Sequence, residues 1–348
     1  MDKALTNRMI LPDVLKGTAV LLMIQVHLME LFATQDIYHS IWGKVSLFLG
    51  GPPAAPIFMA VMGYFLAKSG AGTLKMILRG LKLLLYGFLL NIGLNLNLFF
   101  HILRGELQVN WLSYVFGVDI LFLAGLSIII IAFLRLVFRD SVFYWLLSAI
   151  LVAAAVMFIP VSATDYSWLT FLEAYFYKPT WWSYFPVFPW LAYPLAGYCF
   201  YLFEKQFIIH EIPSSRVLQA ATALVILFLV FSPYGMAITT DLHAYYHHGI
   251  SYFLWTLLFM GAWLIAFRIL IKHYDSGRIV GYLQWTGRNV TAFYVFQWLI
   301  IGNLATVLYQ TVNAIELVAW FVGITLSTSI LVWLYGQLKG TESRKKLQ

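Results

Sequence analysis

Residues 12–31, PDVLKGTAVLLMIQVHLMEL, decide the class of fold. Most of this stretch is apolar, and its length matches the ~20 residues that an α-helix needs to cross a bilayer. It nevertheless carries ionisable residues near both ends, Asp13 and Lys16 at one and His27 and Glu30 at the other. We interpret it as a transmembrane helix with a polar face.

The composition extends this interpretation to the whole chain. Of 348 residues, 61% are hydrophobic and 11% are charged, whereas a soluble domain has about 25% charged residues. The sequence therefore predicts an all-α, polytopic integral membrane helix bundle in the lipid bilayer. No linker or polar block interrupts the apolar pattern, so we predict one membrane-embedded domain over residues 1–348. Cys199 is the only cysteine, which excludes an intramolecular disulfide or a cysteine metal cluster, and we predict no metal site.

Apolar stretches of bilayer length predict about ten transmembrane helices. The predicted spans lie at residues 10–33, 46–68, 75–99, 112–134, 142–160, 184–203, 216–233, 249–271, 289–309 and 315–336. The fifth and seventh are short, and prolines in the sixth predict an irregular backbone, which is tolerated where it lines a cavity.

Lysine and arginine residues predict the orientation of these spans. With the N-terminus in the cytoplasm, 18 of them fall in inner segments and three in outer segments. The positive-inside rule then predicts an even number of spans with both termini cytoplasmic. This asymmetry also accounts for the net charge of +7, so we expect no nucleic-acid partner.

The four ionisable residues of the first span share one helix face. Together with two apolar residues they recur in steps of three and four along the helix. The series is Asp13, Lys16, Val20, Met23, His27 and Glu30. Such a face should lie against protein or a water-filled cavity, since a charge facing lipid costs at least a few kcal/mol. Lys16 lies near the predicted cytoplasmic end, and His27, eleven residues later, lies roughly 16 Å further along the helix.

Polar residues of other spans fall at two predicted depths. The outer half collects His27, Glu30, Asn91, Asn95, Asp119, His247 and His248, with Asp119 expected about seven residues inside the fourth span. The cytoplasmic half collects Lys16, Arg79, Lys82, Arg268 and Arg288. We infer an outer site capable of proton chemistry and an inner site capable of holding an anion.

Each of these residues also has a structural interpretation. His27 can be an inert interfacial histidine, and Asn91 or Asn95 can be a hydrogen-bonding contact between helices. His247 and His248 can be solvated loop residues, and most basic residues serve as topology determinants. Asp119 is harder to dismiss, because a buried carboxylate needs a partner.

Five motifs occur along the chain in a characteristic order. They are PDVLKGTAVLLMIQVH (12–27), APIFMAVMGYFLA (55–67), YGFLLNIGLN followed by YVFGVDILFLAGLS (86–95 and 114–127), FPVFPWLAYPLAGY (185–198) and WTGRNVTAFYVFQWLI (285–300). In this order they resemble the heparan-α-glucosaminide N-acetyltransferase family and its short bacterial relatives among the membrane-embedded acyltransferases. Two positions depart from the family pattern: Lys16 stands where the family has arginine, and Gln297 where it has histidine.

The resemblance implies an enzyme that moves an acetyl group from cytoplasmic acetyl-CoA to a sugar or glycan acceptor on the external side. The basic residues would hold the CoA phosphates, with Lys16 and Arg288 preferred and Arg79 and Lys82 as further ligands. The outer polar residues would contact the acceptor, and Asn91 or Asn95 would donate to the developing oxyanion; this substrate group comprises Asn91, Asn95, Trp190, His247 and His248. The short chain resembles a bacterial inner-membrane protein, and its relatives allow a homodimer.

Two histidines compete for the catalytic role. His27 matches the intramembrane histidine of related acyltransferases, whereas His39, in YHSIWG (38–43), matches an element that holds the functional histidine of family members with a long first loop. The helix-face argument is independent of the resemblance and favours His27. Asp119 would orient the histidine, and both general-base catalysis and a transient acetyl-histidine remain open.

The competing hypothesis is a transporter or flippase for a saccharide or a lipid-linked glycan. Ten spans, a charged intramembrane face and an aromatic outer loop suit that class as well. Consumption of acetyl-CoA distinguishes the two, and the identity of the acceptor stays open.

Overall fold

The computed structural model describes residues 10–160, 165–206, 214–274 and 277–345, and within these ranges every regular element is a helix. The all-α prediction is therefore confirmed. In chain order the α-helices are α1 Ile10–Leu31, α2 Gln35–Tyr38, α3 Ile41–Gly50, α4 Ala55–Ser69, α5 Thr73–Leu94, α6 Leu96–Leu103, α7 Trp111–Val115, α8 Ile120–Phe138, α9 Val142–Ala155, α10 Trp168–Phe176, α11 Val187–Trp190, α12 Ala192–Gln206, α13 Ser214–Val230, α14 Ser232–Thr239, α15 Leu242–Tyr246, α16 Ile250–Tyr274, α17 Arg278–Arg288, α18 Val290–Leu308 and α19 Ala314–Lys345.

Seven helical segments in the described ranges are long and apolar enough to cross a membrane. They are Ile10–Leu31, Ile41–Ser69, Thr73–Leu94, Ile120–Phe138, Ile250–His273, Val290–Leu308 and Ala314–Lys339. An eighth is obtained if the pair Gln219–Val230 and Ser232–Thr239, bent by 54°, forms one span. The polytopic membrane class is confirmed, whereas the count of ten and the orientation of the termini stay predictions.

The differences from ten arise where local chemistry breaks a helix. The predicted fifth span is a 14-residue α-helix followed by one 3₁₀ turn, Val156–Phe158. The predicted sixth span contains a non-helical residue, Phe188, before the 15-residue helix α12. The predicted fourth span begins late, at Ile120, because the Asp119 side chain accepts a hydrogen bond from the Ile120 N–H and caps α8.

The chain forms two compact units. Unit 1 is formed by the described residues within 1–50, 93–104 and 266–348, and unit 2 by those within 51–92 and 105–265. Helices α1 to α3, α6, α17, α18 and α19 belong to unit 1, and helices α4, α7 to α15 and most of α5 and α16 belong to unit 2. Each unit contains residues that the sequence selected as functional.

Helix α1 is the centre of unit 1 and packs most closely against α17. Gly17 of α1 faces the backbone of Leu283, and Gly287 of α17 faces the carbonyl oxygen of Asp13. A Cβ atom at either glycine would collide with that backbone. The two glycines therefore allow the helices to approach at backbone distance, which fixes the neighbours of Asp13.

Amide side chains join the other helices of unit 1. The Ser46 hydroxyl of α3 donates to Gln25 Oε1 of α1 at 2.6 Å, and Gln25 Nε2 donates to the Ser46 carbonyl at 3.0 Å. On α18, Asn303 Oδ1 accepts a hydrogen bond from the Asn97 N–H of α6 at 2.8 Å, and Asn303 Nδ2 donates to the Gly93 carbonyl. These half-buried amides form their hydrogen bonds within the protein, as polar groups away from water in a membrane must.

Unit 2 is built on the close packing of α4 and α12, with α9 on the other side of α12. Gly63 and Gly197 face each other's helix backbones, and Trp145 of α9 stacks on Tyr198 of α12 with ring centroids 3.9 Å apart. Within the same unit the buried Lys178 ammonium binds Glu173 at 3.0 Å and Thr170 at 2.9 Å. These contacts order the aromatic segment that leads into α11.

Candidate functional site

Two of the predicted cofactor-binding residues lie on one buried carboxylate in unit 1. The ammonium of Lys16 is 2.8 Å from Asp13 Oδ1, and Nε of Arg288 is 3.5 Å from Asp13 Oδ2. The Asp13 side chain is 4% exposed, whereas Arg288 is 38% exposed and Lys16 16%. Within the part of the chain that the structure describes, Lys16 and Arg288 place two cations around the Asp13 carboxylate, and Arg288 is the more exposed of the two.

The close approach of α1 and α17 produces this cluster. Gly287 precedes Arg288 and lies against Asp13, so the guanidinium is held beside the start of α1. Gln284, one turn earlier on α17, accepts a hydrogen bond from Arg288 at 3.3 Å. The cluster is therefore oriented from both helices.

Arg79 and Lys82, the other predicted cofactor residues, belong to α5 in unit 2. Both are exposed, and they lie among exposed leucines such as Leu78 and Leu81. Lys82 Nζ lies 5.4 Å from the centroid of the Tyr86 ring. This environment is typical of long basic side chains that extend along an apolar surface, which favours their interpretation as topology determinants.

His27 lies in α1, fourteen residues beyond Asp13, and so roughly 21 Å further along the helix. Its ring contacts Trp298 of α18, with centroids 4.1 Å apart and planes tilted by 35°. Its Nδ1 is buried and has no hydrogen-bond partner among the described residues. The His27 ring therefore packs against the Trp298 indole, and its Nδ1 forms no hydrogen bond with the described residues.

His39, the alternative catalytic histidine, has a different environment. It occupies the C-cap of the short helix α2 in unit 1, and it is exposed. Its ring packs edge-on against Tyr38 at 5.1 Å. His39 is therefore exposed, whereas His27 is half-buried and its Nδ1 is buried.

Asp119, Asn91 and Asn95 occupy helix boundaries and helix contacts. The prediction that Asp119 lies seven residues inside a helix is wrong, because Asp119 is the N-cap of α8. Asn91 Nδ2 donates to the carbonyls of Val115 and Gly117 at 3.0 and 2.8 Å, so both of its amide hydrogens are used within unit 2. This geometry favours the packing role of Asn91 over donation to a substrate. Asn95 is half-buried at the N-cap of α6.

Trp190 and His248 form a buried aromatic cluster in unit 2. Trp190 Nε1 donates to the Tyr246 carbonyl at 2.7 Å, and the Trp190 ring lies edge-on to His248 at 5.0 Å. His248 Nδ1 is 2.7 Å from the Tyr245 carbonyl, and His248 Nε2 is 2.9 Å from the Tyr193 hydroxyl. Because a carbonyl only accepts, Nδ1 carries the proton, and Nε2 accepts from Tyr193.

The expectation of a solvated loop histidine is therefore wrong for His248, which is 3% exposed. Both of its ring nitrogens are satisfied, which favours a structural role over contact with an acceptor. His247 is half-buried, with its ring 5.3 Å from that of His243. Burial, followed by the nearby His243, lowers the pKa of His247 to about 4.

Protonation of His248 should weaken the fold in acid. Burial, against the opposing hydrogen bond to Tyr245, lowers the pKa of His248 from 6.5 to about 4. Because the unfolded chain then binds the proton more tightly, stability falls as the pH drops from about 6.5 towards about 4. We expect a loss of about 2 kcal/mol between pH 7.5 and pH 5 from this residue, measured by thermal unfolding in detergent.

The His248→Gln variant should lose much of this pH dependence, although its stability at pH 7.5 will be lower. The matched control is His273→Gln, because His273 is exposed and should keep the wild-type dependence. An equal acid response in wild type and His248→Gln would contradict the assignment.

Trp298 and Gln297 of α18 were not among the predicted site residues. Trp298 provides the ring contact, and the preceding Gln297 is 0% exposed. The available signal was the register of α18, since Phe293, Gln297 and Ile301 recur at four-residue intervals and all three are buried.

A comparison with protein-family models gave one match. The family model described as heparan-alpha-glucosaminide N-acetyltransferase, catalytic, matches residues 8–225, which is more than half of the chain. The match includes Asp13, Lys16 and His27 but ends before Arg288 and Gln297. The comparisons with curated proteins and with solved structures gave no match. The family match agrees with the motif order, and the chain belongs to the heparan-α-glucosaminide N-acetyltransferase catalytic family.

Proposed function

We propose that this protein transfers an acetyl group from acetyl-CoA on the cytoplasmic side to a sugar or glycan acceptor on the external side. Family membership supports membrane acetyltransferase activity. The donor, the acceptor class and the sidedness are our proposal, as are an inner-membrane location, one functional domain over residues 1–348 and a homodimer.

The observation that carries the proposal is the distribution of polar groups along α1. A partly exposed cation cluster lies at the start of the helix, and a half-buried histidine in contact with Trp298 lies fourteen residues after Asp13. CoA has phosphates at one end and the reactive thioester at the other. A site for this donor needs cations and a proton acceptor separated in this way.

The chemistry assigns one function to each group. Arg288 donates charge-assisted hydrogen bonds to a phosphate, and Asp13 keeps Arg288 and Lys16 together. His27 accepts the proton from the acceptor hydroxyl or amine as the new acyl bond forms. The carbon–sulfur bond of the thioester breaks, and the proton passes to the departing CoA thiolate, so that atoms and charge balance.

The test uses purified protein in proteoliposomes with labelled acetyl-CoA on one side and sugars on the other. Glucosamine supplies an amine acceptor, and glucose supplies only hydroxyls. We expect release of free CoA thiol together with labelled sugar on the opposite side. Sugar movement without thioester consumption would support the transporter, and the absence of CoA binding by wild type would overturn the proposal.

Replacing Arg288 should weaken CoA binding selectively. Hydrogen bonds to charged groups contribute about 1.5–3 kcal/mol, so Arg288→Ala should raise the Kd for CoA by about 10- to 100-fold. The Kd for CoA of Arg288→Lys should lie between those of wild type and Arg288→Ala, because an ammonium cannot bind a phosphate through two parallel hydrogen bonds. Calorimetric titration of CoA in nanodiscs measures the effect.

The matched control is Arg278→Ala, which removes an exposed arginine at the opposite end of α17. We expect its Kd for CoA to stay within about twofold of wild type. Equal effects of the two substitutions would mean that CoA binding reflects general basic charge rather than the Asp13 cluster.

A further inference from the structure

Gln297 is a buried carboxamide without a hydrogen bond. It lies in α18, it is 0% exposed, and neither Nε2 nor Oε1 has a partner among the described residues. A buried polar group left unsatisfied costs about 1–3 kcal/mol, and Gln297 leaves both a donor and an acceptor in that state. Such a group needs an explanation in terms of what it binds.

Two other amide side chains of unit 1, those of Gln25 and Asn303, differ from Gln297 because they do form hydrogen bonds. Gln25 donates to Leu22 and Ser46 and accepts from Ser46. Asn303 likewise donates to Gly93 and accepts from Asn97. Buried unpartnered hydroxyls do occur in this unit, but a hydroxyl can rotate towards a nearby carbonyl, which a packed carboxamide cannot do so easily.

Two further residues near this part of α18 also have polar atoms without a hydrogen bond among the described residues. One is Trp298, which follows Gln297, and the other is His27, which contacts Trp298. Trp298 Nε1 and His27 Nδ1 are also buried and have no hydrogen-bond partner within the described ranges. The centroids of the Trp298 and His27 rings lie 4.1 Å apart, so Trp298 of α18 meets His27 of α1, and Gln297 is the residue that precedes Trp298 on α18. Gln297 lies seven residues into α18, so roughly 10 Å from the end of that helix next to Arg288.

The chemistry of these atoms selects a carbonyl group as ligand. Trp298 Nε1 can only donate, and Gln297 Nε2 donates as well. Two donors beside a histidine suit an oxygen that gains negative charge when a nucleophile attacks the adjacent carbon. At the other end of the same arrangement, Arg288 faces outward.

We propose that Gln297 and Trp298 bind the thioester carbonyl oxygen of the acyl donor and stabilise its developing negative charge. This inference rests on the proposed function. It adds two side chains, those of Gln297 and Trp298, through which the protein distinguishes acylated CoA from free CoA. It gives Gln297 the role of a neutral donor rather than a second base.

The test compares three ligands whose differences isolate the carbonyl. Acetyl-CoA contains it, S-ethyl-CoA keeps the two-carbon chain on sulfur but lacks the carbonyl oxygen, and CoA lacks the whole acyl group. Wild type should bind acetyl-CoA at least fivefold more tightly than S-ethyl-CoA. The substitution Gln297→Met, which keeps the approximate shape of the side chain, should reduce this preference to about twofold or less and leave the Kd for CoA within about twofold.

Two further substitutions separate binding from folding. Trp298→Phe removes the indole N–H but keeps an aromatic ring against His27, and it should also lower the preference. Gln25→Met removes a satisfied carboxamide from α1, so it should leave the preference unchanged even where thermal unfolding shows a loss of stability. The affinity for free CoA and the unfolding temperature show which variants are folded.

The outcomes distinguish this inference from the proposed function. Wild type that binds CoA without preferring acetyl-CoA over S-ethyl-CoA overturns the assignment of Gln297 and leaves the proposed function standing. Folded Gln297→Met and Trp298→Phe variants that keep the full preference overturn it too. Wild type that binds none of the three ligands overturns both.

Discussion

Replacing His27 with alanine should abolish acetyl transfer while leaving CoA binding intact. General acid–base catalysis by a positioned side chain contributes about 10²- to 10⁴-fold, so we expect a fall in kcat of that size. The Kd for CoA should stay within about threefold, because the cations lie near Asp13, roughly 21 Å along α1 from His27. Labelled acetyl transfer to the best acceptor and titration of CoA measure the two effects.

The comparison with His39→Ala decides between the two histidines. His39 is exposed, whereas His27 is half-buried and its ring packs against Trp298. A larger loss of kcat in His39→Ala than in His27→Ala would transfer the catalytic role to His39. His273→Ala, an exposed histidine at the end of α16, is the control and should retain wild-type transfer.

Replacing Gly287 with alanine should destabilise unit 1 and weaken CoA binding together. A Cβ at Gly287 would collide with the carbonyl oxygen of Asp13, and backbone atoms have little freedom to move away. Overpacking of this kind costs about 1–3 kcal/mol, and we expect the upper end because α1 and α17 must separate. That separation moves Asp13 away from Arg288, so the Kd for CoA should rise at least tenfold.

Gly281 provides a matched control within the same helix. A Cβ at Gly281 meets nothing within 4 Å among the described residues, so Gly281→Ala should be neutral or slightly stabilising through its higher helix propensity. Thermal unfolding in detergent and titration of CoA give both measurements. If Gly287→Ala behaves like Gly281→Ala, the close approach of α1 and α17 is not what maintains the cluster.

Periodicity and composition were sufficient for the helical class and for the face of α1. The apolar composition identifies a membrane protein, because only bilayer-spanning helices accommodate so little charge over such a length. The spacing of Asp13 and Lys16 places them one turn apart, and they form an ion pair at 2.8 Å. Helix periodicity is a local property, so the sequence determines it directly.

Helix boundaries were less predictable, because they depend on local caps. Asp119 lies within an apolar stretch and reads as the interior of a span, yet its carboxylate caps α8. Hydropathy averaged over a window does not register a single capping hydrogen bond. The same limitation affected the region around Phe188, where the helix is interrupted.

Composition, helix periodicity and the order of the motifs establish an all-helical membrane protein of the heparan-α-glucosaminide N-acetyltransferase family, with a polar face on its opening helix. The distant residues that meet this face follow from the packing of the helices. Arg288 reaches Asp13 and Trp298 reaches His27 because glycines let α1 and α17 approach and because α18 continues from α17. Such contacts join positions more than 250 residues apart in sequence, and packing, rather than local periodicity, selects them.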